Sequence, residues 1–179
     1  EMLVPELIFG ELLSGSNFND SEEKTAGGRN GFGAKLTNIF SKRFIVETAD
    51  AKRGLRYRQE WKNNMSSKGK ACTYAYKRKD FTKVTFYPDF ERFGMPAGFD
   101  DDFVALLTRR VYDMAGSTDA SLRVYLNGAR IPVAGFKAYA QMFLPEGEDK
   151  FAYGKFGDRW EVGGGRRAQQ RNVSPGELC

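Results

Sequence analysis

The spacing of apolar residues along the chain changes period several times, and each change marks an element. "VPELIFGELL" opens helically, with Pro5 in the first turn, Glu6 near the positive helix end, and Leu7, Ile8 and Leu12 on one side. The polar, glycine-rich span 14–33 follows, longer than an ordinary connection and therefore a candidate lid. Leu36, Ile39 and Phe40 then recur at i, i+3 and i+4, predicting a helix that buries them, with Lys42 and Arg43 at its negative end. From there the period is two. "RFIVET" and "LRYRQEW" predict strands joined by "ADAKRG", the second alternating Leu55, Tyr57, Gln59 and Trp61 against Arg56, Arg58 and Glu60. "ACTYAYK" and "FTKVTFYP", the latter stopped by Pro88, continue what reads as an antiparallel meander.

The second half returns to helical spacing. In "DDDFVALLTRRVYDMAGS" the acidic Asp100, Asp101 and Asp102 suit a helix start. Phe103, Leu106, Leu107, Val111 and Met114 form a stripe, and Gly116 is placed to end it. "SLRVYLNGARIPV" predicts a hairpin through Asn127-Gly128, the residue pair of a type I′ turn. "GFKAYAQMF" predicts a short closing helix. The order of elements argues for an α+β fold, a two-layer sandwich of mixed or antiparallel sheet with helices on one face. From Gly163 onward there is a glycine triplet, three arginines and no apolar period, so residues 163–179 are expected to be a disordered, unrelated tail.

Composition narrows the chemistry. The 179 residues hold no histidine, which excludes Ser-His and Cys-His nucleophilic catalysis and histidine metal sites. Cys72 and Cys179 have no metal-ligand spacing, so no metal ligands are assigned, and no catalytic residue is identified. The net charge of +5 is compatible with a polyanionic partner. No run is long and apolar enough for a membrane helix. Arg109 is expected to pair with Asp113, "KRKD" at 77–80 reads as a basic turn, Trp61 and Trp160 read as core, and Glu6 and Glu11 as solvated.

The glycines raise the sharper question. Four lie between Gly27 and Gly33, directly before a helix. The phosphate-loop pattern GxxxxGK[ST] fails, because Ala34 precedes Lys35 and Leu36 stands where a hydroxyl is needed; the dinucleotide pattern GxGxxG fails as well. The physics common to both survives. Glycines let backbone N–H groups approach an anion, a helix N-terminus adds partial positive charge, and Lys35 brings a full one. A phosphate cradle and a plain flexible loop both fit these residues.

Further residues decide between them by resemblance. "VPELIFGELLSGSNFND" and "GGRNGFGAKLTNIFS", followed in order by "FIVETAD", "NNM", "FYPD", "VALLTRRVYDMAGS", "NGARIPVAGFKAY" and "RWEV", resemble the ATPase region of eukaryotic-type type IIA DNA topoisomerases. That family has the Bergerat-type ATP-binding fold. The resemblance implies a partial ATPase domain at 1–118 with its lid at 15–35, and the start of a transducer region at 119–162. It implies ATP contacts by Ser16, Asn17, Gly28, Arg29, Asn30, Gly31, Phe32, Gly33, Ala34 and Lys35, with Thr85 beside the adenine pocket. Gly15 departs from the family's serine there, and Phe32 from its tyrosine.

In the family the general-base glutamate and the Mg²⁺-binding asparagine precede "VPELIFG", and the transducer lysine follows "RWEV". The chain is therefore expected to be an internal piece that binds ATP weakly and does not turn it over. For the intact enzyme the resemblance implies ATP and Mg²⁺ as cofactors, double-stranded DNA as partner, a homodimer, no membrane, and a nuclear or DNA-containing organellar location. The alternative is a non-catalytic basic module that binds nucleotide or nucleic acid.

Overall fold

Alternating residues of "FIVETAD" and "LRYRQEW" build the central sheet, which is what holds the site. The computed structural model describes residues 2–15, 19, 21, 28, 30–144, 151–157 and 160–165. They form two compact units, Glu1–Gly98 and Phe99–Cys179. The division falls before the long helix, whereas the junction expected from the resemblance lies after residue 118.

The first unit contains helices α1 (Val4–Gly10) and α2 (Phe32–Ile39) and strands β1 (Ser41–Asp50), β2 (Leu55–Lys62), β3 (Ser67–Lys68), β4 (Cys72–Ala75) and β5 (Phe81–Pro88). β1 and β2 form a hairpin, β3 and β4 both pair with β2, and β5 pairs with β1, antiparallel throughout. The expected meander is therefore corrected: β5 leaves β4 and returns beside the first strand, a Greek-key order. Residues 76–80 make this crossing around the β1–β2 turn, where the Tyr76 N–H donates to the Gly54 carbonyl.

Register divides the sheet into two unlike faces, because residues directly opposite each other point the same way. The inner face carries Phe44, Val46 and Thr48 of β1, Tyr57, Gln59 and Trp61 of β2, and Thr82, Val84 and Phe86 of β5. Phe44, Val46, Tyr57 and Trp61 are buried there with Phe9 of α1 against them. Phe44 meets Trp61 edge-on at 6.0 Å between centroids. α1 sits so close that a Cβ at Gly10 would lie 3.1 Å from the Trp61 ring. Glu6 of α1 adds an ion pair to Lys68 of β3 at 2.7 Å, so it is a half-buried tether and not a solvated carboxylate.

The second unit contains α3 (Asp101–Ser117), β6 (Tyr125–Leu126), β7 (Ala129–Arg130), α4 (Gly135–Gln141), β8 (Phe151–Phe156) and β9 (Trp160–Gly165). Asp100 caps α3, its carboxylate accepting from the Phe103 N–H at 2.7 Å. The β6–β7 turn has φ of 50° at Asn127 and 82° at Gly128, as a type I′ turn requires. Arg109 and Arg110 both reach Asp113, at 3.9 and 3.3 Å.

Four expectations fail in this unit. Leu106, Leu107 and Met114 are exposed, and the buried side of α3 is Val111, Tyr112, Ala115 and Gly116, packed on Ile131, Val133 and Tyr139. Gly116 does not end the helix; it makes room for Tyr139, whose Cγ lies 2.4 Å from where a Cβ would be. Trp160 is 70% exposed, not core. Nor does disorder begin at Gly163. Gly163, Gly164 and Gly165 pair with Tyr153, Ala152 and Phe151, and the small Gly163 admits the Phe151 ring. The rest of the tail, 166–179, lies outside the described residues.

Replacing Gly116 by alanine should destabilise the α3–α4 packing by about 1–3 kcal/mol, since neither Tyr139 nor the helix backbone can yield without loss of packing. Denaturant unfolding followed by tyrosine fluorescence measures it, and an unchanged midpoint would remove Gly116 from the core.

Acid should act through the first unit's ion pairs. Lys68 holds the Glu6 carboxyl, Arg56 that of Glu47 and Arg43 that of Glu60 below the ordinary value of 4.5. Their stabilisation is present above about pH 4.5 and is lost as pH falls through the depressed values. Unfolding free energies at pH 7 and pH 3 should therefore differ, and Glu47→Gln should narrow the difference.

Candidate functional site

The site forms where the 11–15 turn and residues 30–35 meet over the N-terminus of α2. Gly31 is the N-cap of α2 in the left-handed region, φ 63° and ψ 26°, and no side chain caps the helix. The N–H groups of Gly31, Phe32, Gly33 and Ala34 thus lack intrahelical partners, the first intrahelical bond being that of the Lys35 N–H to the Gly31 carbonyl. Gly31 is required twice over. A Cβ on it would stand 3.1 Å from the Lys35 Nζ and 3.3 Å from both Cα and N of Gly15. The Lys35 side chain therefore folds back beneath its own helix N-terminus, between the two loops, and the residue is 2% exposed.

Burial of an ammonium is costly without a compensating negative charge. Here it lies beside an uncapped helix end, whose partial charge is also positive. The two together make a local field that favours an anion. Gly28, at φ 88°, and Gly33 have no protein atom within 4 Å of a Cβ position, so the space above them is open.

The lysine's burial shifts the expected facing of α2, on which Ile39 and Phe40 are half-buried as expected and Leu36 is not. Leu36 is exposed and Lys35 and Asn38 are buried. The helix is held by amide side chains as much as by apolar contact. The Asn38 Nδ2 donates to the Phe9 carbonyl at 3.2 Å, joining α2 to the end of α1. The Asn64 Nδ2 donates to the Ile39 carbonyl at 3.0 Å and to Asp89 Oδ2 at 3.0 Å. Asn63, Asn64 and Met65 are all left-handed, with φ of 52°, 57° and 65°, and that turn aims Asn64 at the helix end. Lys42 completes the cluster, 3.1 Å from Asp89.

Of the residues expected at the site, the structure gathers Gly31, Phe32, Gly33, Ala34 and Lys35 at the helix N-terminus, with Asn30 exposed just before it. Gly28 is exposed on the same loop. Ser16, Asn17 and Arg29 lie outside the described residues. Thr85 is not brought to the cluster. It pairs with Ile45 and points to the outer face of the sheet, away from α1. The hydroxyl of β5 on the α1 side belongs to Thr82, which contacts Thr48 Oγ1 at 3.0 Å. A strand's period of two separates them: three residues apart means opposite faces.

Gly15, Asn38 and Asn64 escaped the sequence reading. Gly15 read as a lost hydroxyl, but the structure uses its bare backbone for close approach. The two asparagines had a faint signal. Asn38 stands three residues after Lys35 on one helix face, and "NNM" places two residues tolerant of left-handed φ side by side.

Comparison with known proteins supplies the rest. No family model matches the chain. It is 48% identical over 174 residues to DNA topoisomerase 2 of Penicillium chrysogenum, a match covering 91% of the chain and 11% of that protein. It is 50% identical over 165 residues to the probable DNA topoisomerase 2 of Dictyostelium discoideum, covering 90% of the chain and again 11% of the relative. Among solved structures, the ATPase region of Saccharomyces cerevisiae topoisomerase II superposes with a TM-score of 0.83 at 46% identity, over 90% of this chain and 43% of that one. Over the matched residues the chain belongs with the type II DNA topoisomerases. The ATPase and transducer domains of the Balamuthia mandrillaris topoisomerase II agree, at a TM-score of 0.82 and 42% identity. The α+β expectation is thereby met. The chain spans about a tenth of the length of these topoisomerase 2 relatives and under half of the ATPase-region structures.

In this topoisomerase segment Lys35→Met separates packing from binding. The methionine keeps the buried stem and removes the ammonium, whose burial is costly, so folding stability should hold or rise. Affinity for an anionic ligand should fall. A lower melting temperature with binding intact would assign Lys35 a structural role instead.

Proposed function

We propose that this chain is the nucleotide-holding part of an ATP-driven type II DNA topoisomerase, in which ATP binding closes a gate and a DNA duplex is passed through a cut one. What supports the reading is the convergence of Gly15, Gly31 and the buried Lys35 ammonium at the uncapped N-terminus of α2. A triphosphate supplies the negative charge that this arrangement favours. Backbone N–H groups from Gly31 to Ala34 would take the phosphate oxygens, the Lys35 side chain would fix the register of the chain of phosphates, and Gly28 and Gly33 would leave room for them. Ser16, Asn17, Arg29 and Asn30 would contribute further polar contacts.

The donor set suits phosphate and not a metal ion. A lysine and backbone N–H groups repel a cation, and among the described residues no three Asp, Glu, Cys or His side chains converge on one. Magnesium, which a nucleoside triphosphate carries, is given no ligand from these residues. The water-activating step is likewise not assigned to them. Glu6 is engaged by Lys68, which keeps its carboxyl acidic and makes it a poor base. The role of these residues is to bind and to close, as one half of a symmetric pair, in a nuclear or organellar enzyme.

Magnesium ATP should slow amide exchange at Gly15 and at 30–35. Gly33→Val should abolish nucleotide affinity while leaving stability within about 0.5 kcal/mol, since its side chain would enter space that holds no protein atom. Equal ATP titrations for the wild type and Gly33→Val would overturn the reading.

A further inference from the structure

The outer face of the first unit's sheet has no part in the nucleotide site, yet its charge is unusual. It carries Arg43, Arg56, Arg58, Lys62 and Lys83 against two carboxylates, Glu47 and Glu60. The turns at its end, 50–53 and 77–80, add Lys52, Arg53, Lys77, Arg78 and Lys79 against Asp50 and Asp80. Ten cations against four carboxylates leave a net +6, where the whole chain carries +5. The positive balance of the protein is therefore concentrated on one sheet face and its turns, and the remainder is slightly acidic.

The arrangement differs from a solvated set of surface pairs. The Glu47 and Glu60 side chains are only 14% and 17% exposed, sunk between the cations, while Lys62 and Lys83 are 60% and 64% exposed. Each carboxylate is shared. Glu47 takes Arg56 and Lys83, and Glu60 takes Arg43, Arg58 and Lys62. Two negative charges thus hold five positive ones in place without neutralising them. Aromatic rings fix the guanidinium groups further, Arg43 over Tyr87 at 5.5 Å and Arg56 over Phe81 at 5.6 Å. A half-exposed cation array held in place by shared carboxylates and aromatic rings on one sheet face suits a phosphate backbone.

We propose that this outer face, centred on Arg43, Arg58, Lys62 and Lys83, binds the phosphate backbone of duplex DNA without reading its sequence. The choice of duplex DNA over another polyanion rests on the topoisomerase reading above; the existence of the surface rests on its own charge. No residue of the face belongs to the lid, and the Phe44–Trp61 layer separates it from α1. DNA and nucleotide therefore occupy opposite sides of one sheet and do not compete.

Anisotropy titrations of the full 179-residue chain with a fluorescent 30-base-pair duplex across a salt series test this, without nucleotide. Lys62→Ala/Lys83→Ala should weaken binding roughly tenfold at moderate salt and flatten the plot of log affinity against log salt by about 2. The charge-matched Arg109→Ala/Arg110→Ala should leave the plot unchanged, as should saturating ATP. The proposal is overturned if the wild type fails to bind, if both double variants lose affinity alike, or if a single-stranded RNA of equal length displaces the duplex at equal concentration. ATP affinity of Lys62→Ala/Lys83→Ala, measured in parallel, keeps the two readings apart. DNA binding lost with ATP binding intact supports the surface, whereas ATP binding without any DNA binding by the wild type sinks the surface alone.

Discussion

An ammonium group held almost out of water beneath the N-terminus of its own helix is the constraint around which the first unit is arranged. Lys35 can lie there only because Gly31 has no side chain and tolerates a left-handed backbone, and because Gly15 comes in as bare chain from the other side. Two glycines are thus consumed in making a positive pocket and not in making a loop flexible. The ammonium and the uncapped helix end carry charge of the same sign, and the proposed phosphate site rests on that field.

The rest of the unit keeps that pocket in place. α1 packs Phe9 and Gly10 onto Phe44 and Trp61, and its C-terminal carbonyl takes the Asn38 amide. The far end of α2 is held by Asn64, itself fixed by Asp89 and by a run of left-handed residues. Amide side chains suit this duty. They satisfy helix-end carbonyls, and they carry no charge to disturb the lysine three residues away. A helix held at both ends can present its N–H groups with little reorganisation when phosphate arrives.

The sheet serves as a divider. Its inner face is aromatic and aliphatic because α1 covers it. Its outer face carries charged side chains in place of that apolar packing. Even so, Ile45 and Ala49 are buried on the outer side. The same five strands therefore separate the proposed nucleotide site from a cation array, with no residue shared between them. The relatives are DNA topoisomerases, in which ATP and DNA are handled by one enzyme, and a sheet with two such faces is suited to that division of labour.

Much of this was legible in the sequence. Periodicity placed every helix and strands β1, β2, β4 and β5, though not the two-residue β3, because burial of one side imposes a period and a period can be read locally. The Asn127-Gly128 turn and the Asp100 cap were legible for the same reason: they depend on backbone preferences within four residues. The glycine run before α2, joined to the collinear motifs, pointed to the site. What the sequence could not decide was partnership. A stripe on α3 says only that one side is apolar, and the buried side proved to be the one where Gly116 admits Tyr139. Alternation along β5 cannot say which parity faces α1, so Thr85 and Thr82 were indistinguishable until strand pairing set the register. β8 and β9 were overlooked because a glycine triplet has no propensity to strand, yet pairing with Phe151–Tyr153 orders it. Lys35 is the extreme case. A lysine is read as exposed because burying its charge is costly, and only the meeting of two loops distant in sequence shows where that cost is borne and why.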